Sequence, residues 1–218
     1  MSWHPEVLLS GAAELAAALG RLPEMKRFYL AGGTALALRL GHRKSKDFDF
    51  FSAEFAKGEA GTLPIKDLLS GMPGFQVRSE GDGTLHTVIG GIETSFLRYP
   101  YPLLAPTQDW QGLAVASIED IGLMKIGAII GRGSRRDFRD LREICREIGL
   151  AKLLPMGKMK FPDSEDFLFQ AARALAYFDD AETEPDPAPL KPEPWRAVRR
   201  YFEIEAPAAF RRLLESGS

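Results

Sequence analysis

Apolar side chains follow a helical and then an extended spacing through the first forty residues. Residues 5–19 carry leucine and alanine at helical intervals, which predicts a first helix. Residues 28–31 are a short apolar run of the kind found in a buried strand. Residues 34–40 have helical composition and end at Gly41, a residue suited to the left-handed conformation that closes many helices.

Extended patterns dominate the next fifty residues. Residues 47–51 alternate between aspartate and phenylalanine, which predicts a strand with one polar and one apolar face. Residues 65–69 favour a short helix and residues 75–78 a strand. Two alternating runs flank Gly90-Gly91, a dipeptide suited to a two-residue hairpin turn because both positions need a positive φ.

Helical patterns dominate after residue 115. Ser117-Ile-Glu-Asp and Ser134-Arg-Arg-Asp are capping-box sequences, and they predict helices that run to about residues 131 and 148. Residues 164–180 predict a third helix, and residues 195–214 one or two more. Five prolines within residues 183–194 favour a linker between them.

The order of these elements predicts an α/β (α+β) chain. A small mixed β-sheet flanked by helices occupies residues 1–115, and a helical C-terminal half occupies residues 116–218. The length of 218 residues suits one large domain or two small ones.

Composition narrows the class of protein. The chain is 45% hydrophobic and 27% charged, which is ordinary for a soluble globular protein. A net charge of -2 gives no overall field that would attract nucleic acid or a membrane, so a basic site must be local. Cys145 is the only cysteine, which excludes a disulfide framework and fits a cytoplasmic location. Neither a signal peptide nor a membrane span is expected.

The strongest chemical signal is the pair Asp47 and Asp49. On a strand these carboxylates point the same way, about 6–7 Å apart. Such a pair favours a hard divalent cation, and Mg²⁺ held by carboxylates and substrate phosphates is common in nucleotide enzymes. Taken alone, the motif favours an edge strand whose aspartates face solvent.

A second signal precedes the aspartates at Gly32-Gly33-Thr34. A strand that stops at these residues and enters a helix leaves unpaired N–H groups at the helix N-terminus, which is an anion-binding arrangement. The sequence matches neither a P-loop nor the G-x-G-x-x-G dinucleotide motif. The alternative is a tight turn with a threonine cap. Together, the two signals predict phosphate donors and a cation site at one sheet edge.

Lys125 is the third unusual residue. It lies in an almost wholly apolar helix, where a buried ammonium group must be paired. A structural salt bridge and a lysine that contacts phosphates are both consistent with this position.

These features resemble the AbiEii/AbiGii toxin family of the minimal, polymerase-β-like nucleotidyltransferases. The resemblance rests on "LAGGTALALRLGHRKSKDFDFF" and "EDIGLMKIGAIIGRGSRRDFRDL", and it extends over residues 28–141. It implies a nucleotidyltransferase fold whose helical half completes the active site. It also implies an NTP substrate, Mg²⁺ or Mn²⁺ as cofactor, an acceptor such as RNA or tRNA, and a cognate antitoxin as partner.

The resemblance assigns candidate roles residue by residue. The candidates for nucleotide binding are Gly32, Gly33, Thr34, Arg43 and Lys46. Those for metal binding are Asp47, Asp49 and Glu93. Those for catalysis are Lys125, Asp140 and Asp137, although Asp137 also occupies the capping position of its helix. Arg43 and Lys46 belong to a basic loop, and each of these residues taken singly favours a solvated position.

One position departs from the superfamily. Such enzymes bring a third carboxylate from a later strand, and the matching residue here is Ser95. Glu93, two residues earlier, shares its face. The expected function is therefore metal-dependent transfer of an NMP from an NTP to an acceptor hydroxyl, and the alternative is a catalytically degenerate binding module on the same fold.

Two further groups of residues occur in the helical half, one of arginines and one of phenylalanines. The arginine-rich stretch of residues 132–146 favours a solvated helix face, with an RNA-binding surface as the alternative. The phenylalanines of the helical half are expected to form its core; they are Phe161, Phe167, Phe169 and Phe178.

Overall fold

The computed structural model describes residues 2–185, 190 and 193–216. The chain forms two compact units. Unit 1 comprises Met1–Pro102 and Pro106–Ser117, and unit 2 comprises Leu103–Ala105 and Ile118–Ser218. A mixed sheet with flanking helices, followed by helices, confirms the predicted fold class.

Unit 1 is built on a seven-stranded sheet with the order β3-β4-β5-β2-β1-β7-β6. Strand β2 runs parallel to β5, and β1 runs parallel to β7, while the other neighbours are antiparallel. The strands are β1 Tyr29–Ala31, β2 Asp47–Ser52, β3 Gln76–Gly81, β4 Thr84–Ile89, β5 Ile92–Arg98, β6 Gln108–Trp110 and β7 Leu113–Val115.

The predicted hairpin is confirmed between β4 and β5. Ile89 pairs with Ile92, and Gly90 and Gly91 have φ values of 57° and 84°. Two consecutive positive φ angles are the geometry of a tight hairpin turn, which residues with a Cβ atom adopt with difficulty.

Three helices flank this sheet: α1 Ala12–Gly20, α2 Gly32–Leu40 and α3 Glu59–Leu69. The single helix predicted over residues 5–19 is wrong. A short 3₁₀ turn at Pro5–Val7 is separated from α1 by Gly11, whose φ is 82°. Helix α2 ends at Gly41 as predicted, and α3 begins six residues before the predicted residue 65.

Aromatic side chains fill the core of unit 1. Phe50 of β2 stacks on Phe96 of β5 with 5.5 Å between ring centroids, and Phe28 meets Phe96 edge-on at 5.3 Å. All three rings are buried. Because Phe48 and Phe50 face this core, the alternation of β2 places Asp47 and Asp49 on the opposite face of the sheet.

Arg39 fixes the end of α2 to strands β6 and β7 at one edge of the sheet. It is buried, and its guanidinium donates to the carbonyl oxygens of Ala116 at 2.7 Å and Val115 at 3.2 Å and to Gln108 at 2.9 Å. These charge-assisted hydrogen bonds hold α2 against the strand next to β1.

Unit 2 is helical throughout its described part. Its helices are α4 Ile118–Gly131, α5 Arg135–Glu147, α6 Leu150–Lys160, α7 Phe167–Leu175, α8 Asp179–Thr183 and α9 Trp195–Ser216. None of the helices in the described residues of either unit has the length and hydropathy needed to cross a bilayer.

Several helix predictions for this unit are corrected. Helix α6 was missed, because Pro155 in its interior obscures the pattern. The helix predicted over residues 164–180 is two helices, α7 and α8, and Pro207 lies inside a continuous α9. Of the linker predicted at residues 183–194, residues 186–189, 191 and 192 lie outside the described residues.

A buried ion pair joins α4 to the end of α6. The Lys160 Nζ atom lies 2.7 Å from Asp120 Oδ1, and both side chains are fully buried. Asp120 also accepts hydrogen bonds from the backbone N–H groups of Leu104 at 3.0 Å and Ala105 at 3.3 Å. Burial lowers the pKa of Lys160, while the hydrogen bond to Asp120 opposes this shift. The lysine charge therefore depends on the carboxylate.

We expect Asp120→Asn to lower the free energy of unfolding by about 3–5 kcal/mol, because it leaves the Lys160 ammonium buried without a counter-ion. Urea unfolding followed by circular dichroism measures this loss. Glu119→Gln is the matched control, since Glu119 is half-exposed on the same turn of α4. Equal midpoints for the two variants would contradict a structural role for the pair.

Candidate active site

The candidate site forms where β1 ends and α2 begins. Ala31 pairs with Asp49 across the antiparallel β1–β2 ladder, so the next residue, Gly32, begins α2 directly beside Asp49. The first N–H groups of a helix have no intrahelical acceptor, and they carry the positive end of its dipole. Strand register alone therefore brings anion-binding donors next to an aspartate.

Gly32 is required at this junction for two reasons. Its φ is +69°, and a Cβ atom there would lie 3.0 Å from Asp49 Oδ2. A side chain at this position would strain the backbone and displace the carboxylate. The predicted turn is thus a helix start: Gly32 and Gly33 belong to the first turn of α2 rather than preceding it.

Thr34 connects the helix start to Asp47. Its buried hydroxyl lies 2.7 Å from Ser45 Oγ and 3.1 Å from Asp47 Oδ1, and it also donates to the Asp47 backbone carbonyl. Ser45 in turn lies 3.4 Å from Asp47 Oδ1. These contacts fix one oxygen of the carboxylate. Gly32, Thr34, Asp47 and Asp49 therefore meet in one place, as the sequence predicts.

The neighbouring strand β5 continues the same face. Parallel pairing sets Glu93 beside Asp47 and Ser95 beside Asp49. Glu93 is exposed, and Ser95 Oγ lies 3.0 Å from His86 Nδ1 on β4. Across the described residues there is no group of three or more His, Cys, Asp or Glu side chains arranged to hold a metal ion. The role of Glu93 as a third ligand stays a prediction.

The two aspartates nevertheless provide the donor chemistry that a hard cation needs. They are half-buried carboxylates two residues apart on one strand face, and the Asp49 carboxylate lies beside the start of α2. Carboxylate oxygens are the ligands that Mg²⁺ and Mn²⁺ prefer. Asp47 and Asp49 thus fit such an ion, with further ligands left to a bound phosphate or water.

Arg43 of the basic loop has structural contacts within that loop. Arg43 is buried, and its guanidinium donates to the carbonyl of Lys44 at 3.0 Å and to Ser45 Oγ at 3.4 Å. It thereby supports the loop that supplies Ser45 to Thr34. Lys46 is exposed. Contact of either residue with a nucleotide stays a prediction.

The three predicted catalytic residues come together within unit 2. Lys125 Nζ of α4 lies 2.7 Å from Asp137 Oδ1 and 2.8 Å from Asp140 Oδ2 of α5. Ser134 caps α5 as predicted, accepting from the Asp137 N–H at 3.1 Å and donating to Asp137 Oδ2 at 2.7 Å. Gly122 lets Leu153 approach α4, because a Cβ atom there would lie 2.8 Å from its methyl group.

This cluster keeps Lys125 charged. Burial acts to lower the pKa of Lys125, but attraction to Asp140 and Asp137 outweighs it, so the pKa is raised above 10.5. A lysine whose folded pKa exceeds its unfolded value stabilises the fold fully below the unfolded pKa. That contribution is lost as pH rises through the folded pKa.

We expect Lys125→Met to cost about 3–5 kcal/mol of unfolding free energy, because two buried carboxylates lose their counter-ion. Urea unfolding between pH 7 and 11.5 measures the difference from the parent protein. That difference should stay constant to about pH 10.5 and shrink at higher pH. Lys152→Met, at an exposed position of α6, is the control. A difference that already shrinks near pH 8 would contradict the raised pKa.

Known proteins resemble this chain in sequence. The sequence model described as "Nucleotidyl transferase AbiEii toxin, Type IV TA system" matches residues 14–109, which include α2, β2 and β5. An uncharacterized protein of Aquifex aeolicus (strain VF5) is 35% identical over 182 residues, which cover 81% of this chain and 84% of that protein.

Two solved structures share the fold. MenT4, a nucleotidyltransferase toxin of Mycobacterium tuberculosis H37Rv, is 20% identical with a TM-score of 0.52, over 89% of this chain and 84% of that one. JHP933 from Helicobacter pylori is 16% identical with a TM-score of 0.50, over 94% and 92%. The fold and the matched residues thus agree with the resemblance found in the sequence, and the chain belongs to the AbiEii nucleotidyltransferase toxin family.

Proposed function

We propose that the protein transfers a nucleoside monophosphate from an NTP to an acceptor hydroxyl. The observation that supports this most is the junction of β1, α2 and β2, where helix N–H donors and two aspartates share one location. Anion donors beside a cation site are what an NTP–metal complex requires. Membership of the family supports a transferase.

Each group of residues has its own role in the proposed site. The N–H groups of Gly32 and Gly33 and the start of α2 hold the phosphates, and Thr34 orients Asp47. Asp47 and Asp49 would hold Mg²⁺ or Mn²⁺, with Glu93 as a further candidate ligand. Such an ion would supply neutralisation of phosphate charge and polarisation of the phosphoryl group. Arg43 and Lys46 provide additional positive charge near this site.

The reaction joins the acceptor oxygen to the α-phosphorus. The bond from that phosphorus to the bridging oxygen breaks, and pyrophosphate leaves. Such transfers depend mainly on positioning and on charge neutralisation. By resemblance to the family, Lys125 is the candidate residue for neutralising phosphate charge, and Asp137 and Asp140 are the candidate catalytic residues that contact it.

The biological role follows from the family. We propose a cytoplasmic toxin or defence component whose acceptor is RNA, with tRNA as the leading candidate, and whose activity a cognate antitoxin restrains. The alternative is a binding module without transferase activity. It is prompted by Ser95, which pairs with Asp49 at the position where a third acid is expected.

The first test measures transfer directly. We expect the protein to label total RNA from one or more α-³²P NTPs when Mg²⁺ or Mn²⁺ is present. Asp49→Asn should reduce this by about 10²-fold or more, because it removes a charged ligand from the phosphate site. Asp67→Asn, an exposed aspartate on α3, should retain full activity.

The same assay separates the two candidate functions. Thermal stabilisation by an NTP without any labelled product would favour the binding module. Labelling that is equal in Asp49→Asn and the parent protein would contradict the proposed site. Growth arrest on induced expression, relieved by Asp49→Asn, would support the toxin role.

A second prediction concerns Gly32. We expect Gly32→Ala to lower transfer by at least about tenfold, because its Cβ atom would lie 3.0 Å from Asp49 Oδ2 and a positive φ is strained for alanine. Gly71→Ala is the matched control, since nothing lies within 4 Å of a Cβ atom there and its φ is not positive. Initial rates at saturating NTP, together with thermal melts, measure the effect. A fully active Gly32→Ala variant would count against close approach of substrate to this backbone.

A further inference from the structure

Unit 2 contains an open cavity of about 610 Å³ that the proposed transferase chemistry does not use. The C-terminal end of α4, helix α7 and the segment before α8 form its walls. A volume of this size is sufficient for a nucleotide or another small polar molecule.

Exposed aromatic side chains line this cavity. Among the described residues, only two aromatic side chains are mostly exposed: Phe169 at 64% and Tyr177 at 53%, and both line this cavity. The prediction that Phe169 belongs to the core is therefore wrong, whereas Phe161, Phe167 and Phe178 are buried as expected. Two exposed rings on one concave surface indicate a stacking ligand.

Arginines accompany these rings. Arg173 lies 5.9 Å from the Phe169 ring centroid, and Arg132 is exposed at the cavity wall. Most of the arginine-rich stretch is used differently. Four of its arginines bind carboxylates or carbonyls within unit 2: Arg135, Arg139, Arg142 and Arg146. The broad RNA-binding face considered for residues 132–146 is thus reduced to a local site.

Two carboxylates balance the two arginines. Asp166 and Asp180 also line the cavity, so its charge favours no simple anion. Neutral rings, guanidinium groups and carboxylates together match a nucleotide. Its base stacks, its phosphate attracts arginine, and its ring N–H and amino groups donate to carboxylates. A duplex cannot use the cavity in this way because its bases are already stacked and paired.

We propose that this cavity binds an unpaired nucleotide of single-stranded RNA. The proposal rests on the proposed function in one respect, because RNA is the acceptor class named there. It goes further by assigning the contact to Phe169, Tyr177, Arg132 and Arg173, and by requiring an unpaired base.

The test measures equilibrium binding of the full chain to a fluorescein-labelled single-stranded RNA 12-mer by anisotropy. Phe169→Ala and Tyr177→Ala should each weaken binding by about 5- to 100-fold through loss of base stacking. Tyr177→Phe should keep the affinity, since the ring remains. Met159→Ala is the control, because Met159 is 58% exposed on α6 and does not line the cavity.

Two further measurements define the ligand. Arg132→Gln should reduce the slope of log K against log salt by about 0.7, the value for one phosphate contact on a single strand. A duplex of the same sequence should compete at least tenfold less well than the single strand. Thermal melts should show all variants folded, because the substituted side chains are exposed.

The outcomes are distinct from those of the transferase test. Parent affinity in Phe169→Ala and Tyr177→Ala, or no RNA binding by the parent protein, would overturn the cavity assignment even if RNA is labelled. Ring-dependent RNA binding without any transfer would leave the assignment standing and remove the proposed enzymatic function. Equal competition by duplex would also overturn it.

Discussion

The candidate site depends on the contact between Thr34 and Asp47. A single hydroxyl joins the first turn of α2 to the strand that carries both aspartates. Thr34 is 2% exposed, so these hydrogen bonds lie away from competing water and fix the carboxylate firmly. The register of Ala31 with Asp49 then positions the second aspartate without any further side-chain contact. One hydroxyl and one ladder pair are enough to place the helix start and both carboxylates together.

The sequence predicted this junction because its signals are local. Alternation places Asp47 and Asp49 on one face, and glycine marks the start of α2, within a stretch of twenty residues. Each residue of the basic loop taken singly favoured a solvated position, whereas Arg43 is buried. In the folded loop, Arg43 donates a hydrogen bond to Ser45, and the spacing of apolar and polar residues does not predict this contact.

Unit 2 was harder to predict because its structure also depends on tertiary contacts. Pro155 and Pro207 lie inside helices because tertiary packing outweighs local propensity. Phe169 could not be separated from its buried neighbours by residue type, since composition does not reveal which face of α7 is covered. The sequence likewise does not reveal which arginines after residue 131 bind groups within unit 2 and which face solvent, because their partners lie in distant segments of the chain.

Two buried lysines in this unit have pKa values shifted in opposite directions. Lys125 faces two carboxylates, and their attraction raises its pKa despite burial. Lys160 pairs with Asp120, whose oxygens also accept backbone N–H groups, and there burial prevails and lowers the pKa. Both lysines are buried, yet Lys125 holds its proton more tightly than a free lysine and Lys160 less tightly. The Lys160–Asp120 pair is a structural joint between α4 and α6.

In the proposed transfer, serine in place of a third acid at position 95 would weaken general-base catalysis more than phosphate binding and charge neutralisation. Asp140 is a poor replacement base, because it is fully buried and paired with Lys125. A positioned base contributes about 10²–10⁴-fold to such reactions, whereas orientation of the reactants can contribute substantially more. The elements that orient and neutralise a triphosphate, α2 and the Asp47–Asp49 pair, do not involve Ser95. Substitution of the acid therefore lowers the expected rate of transfer without removing the physical basis for it.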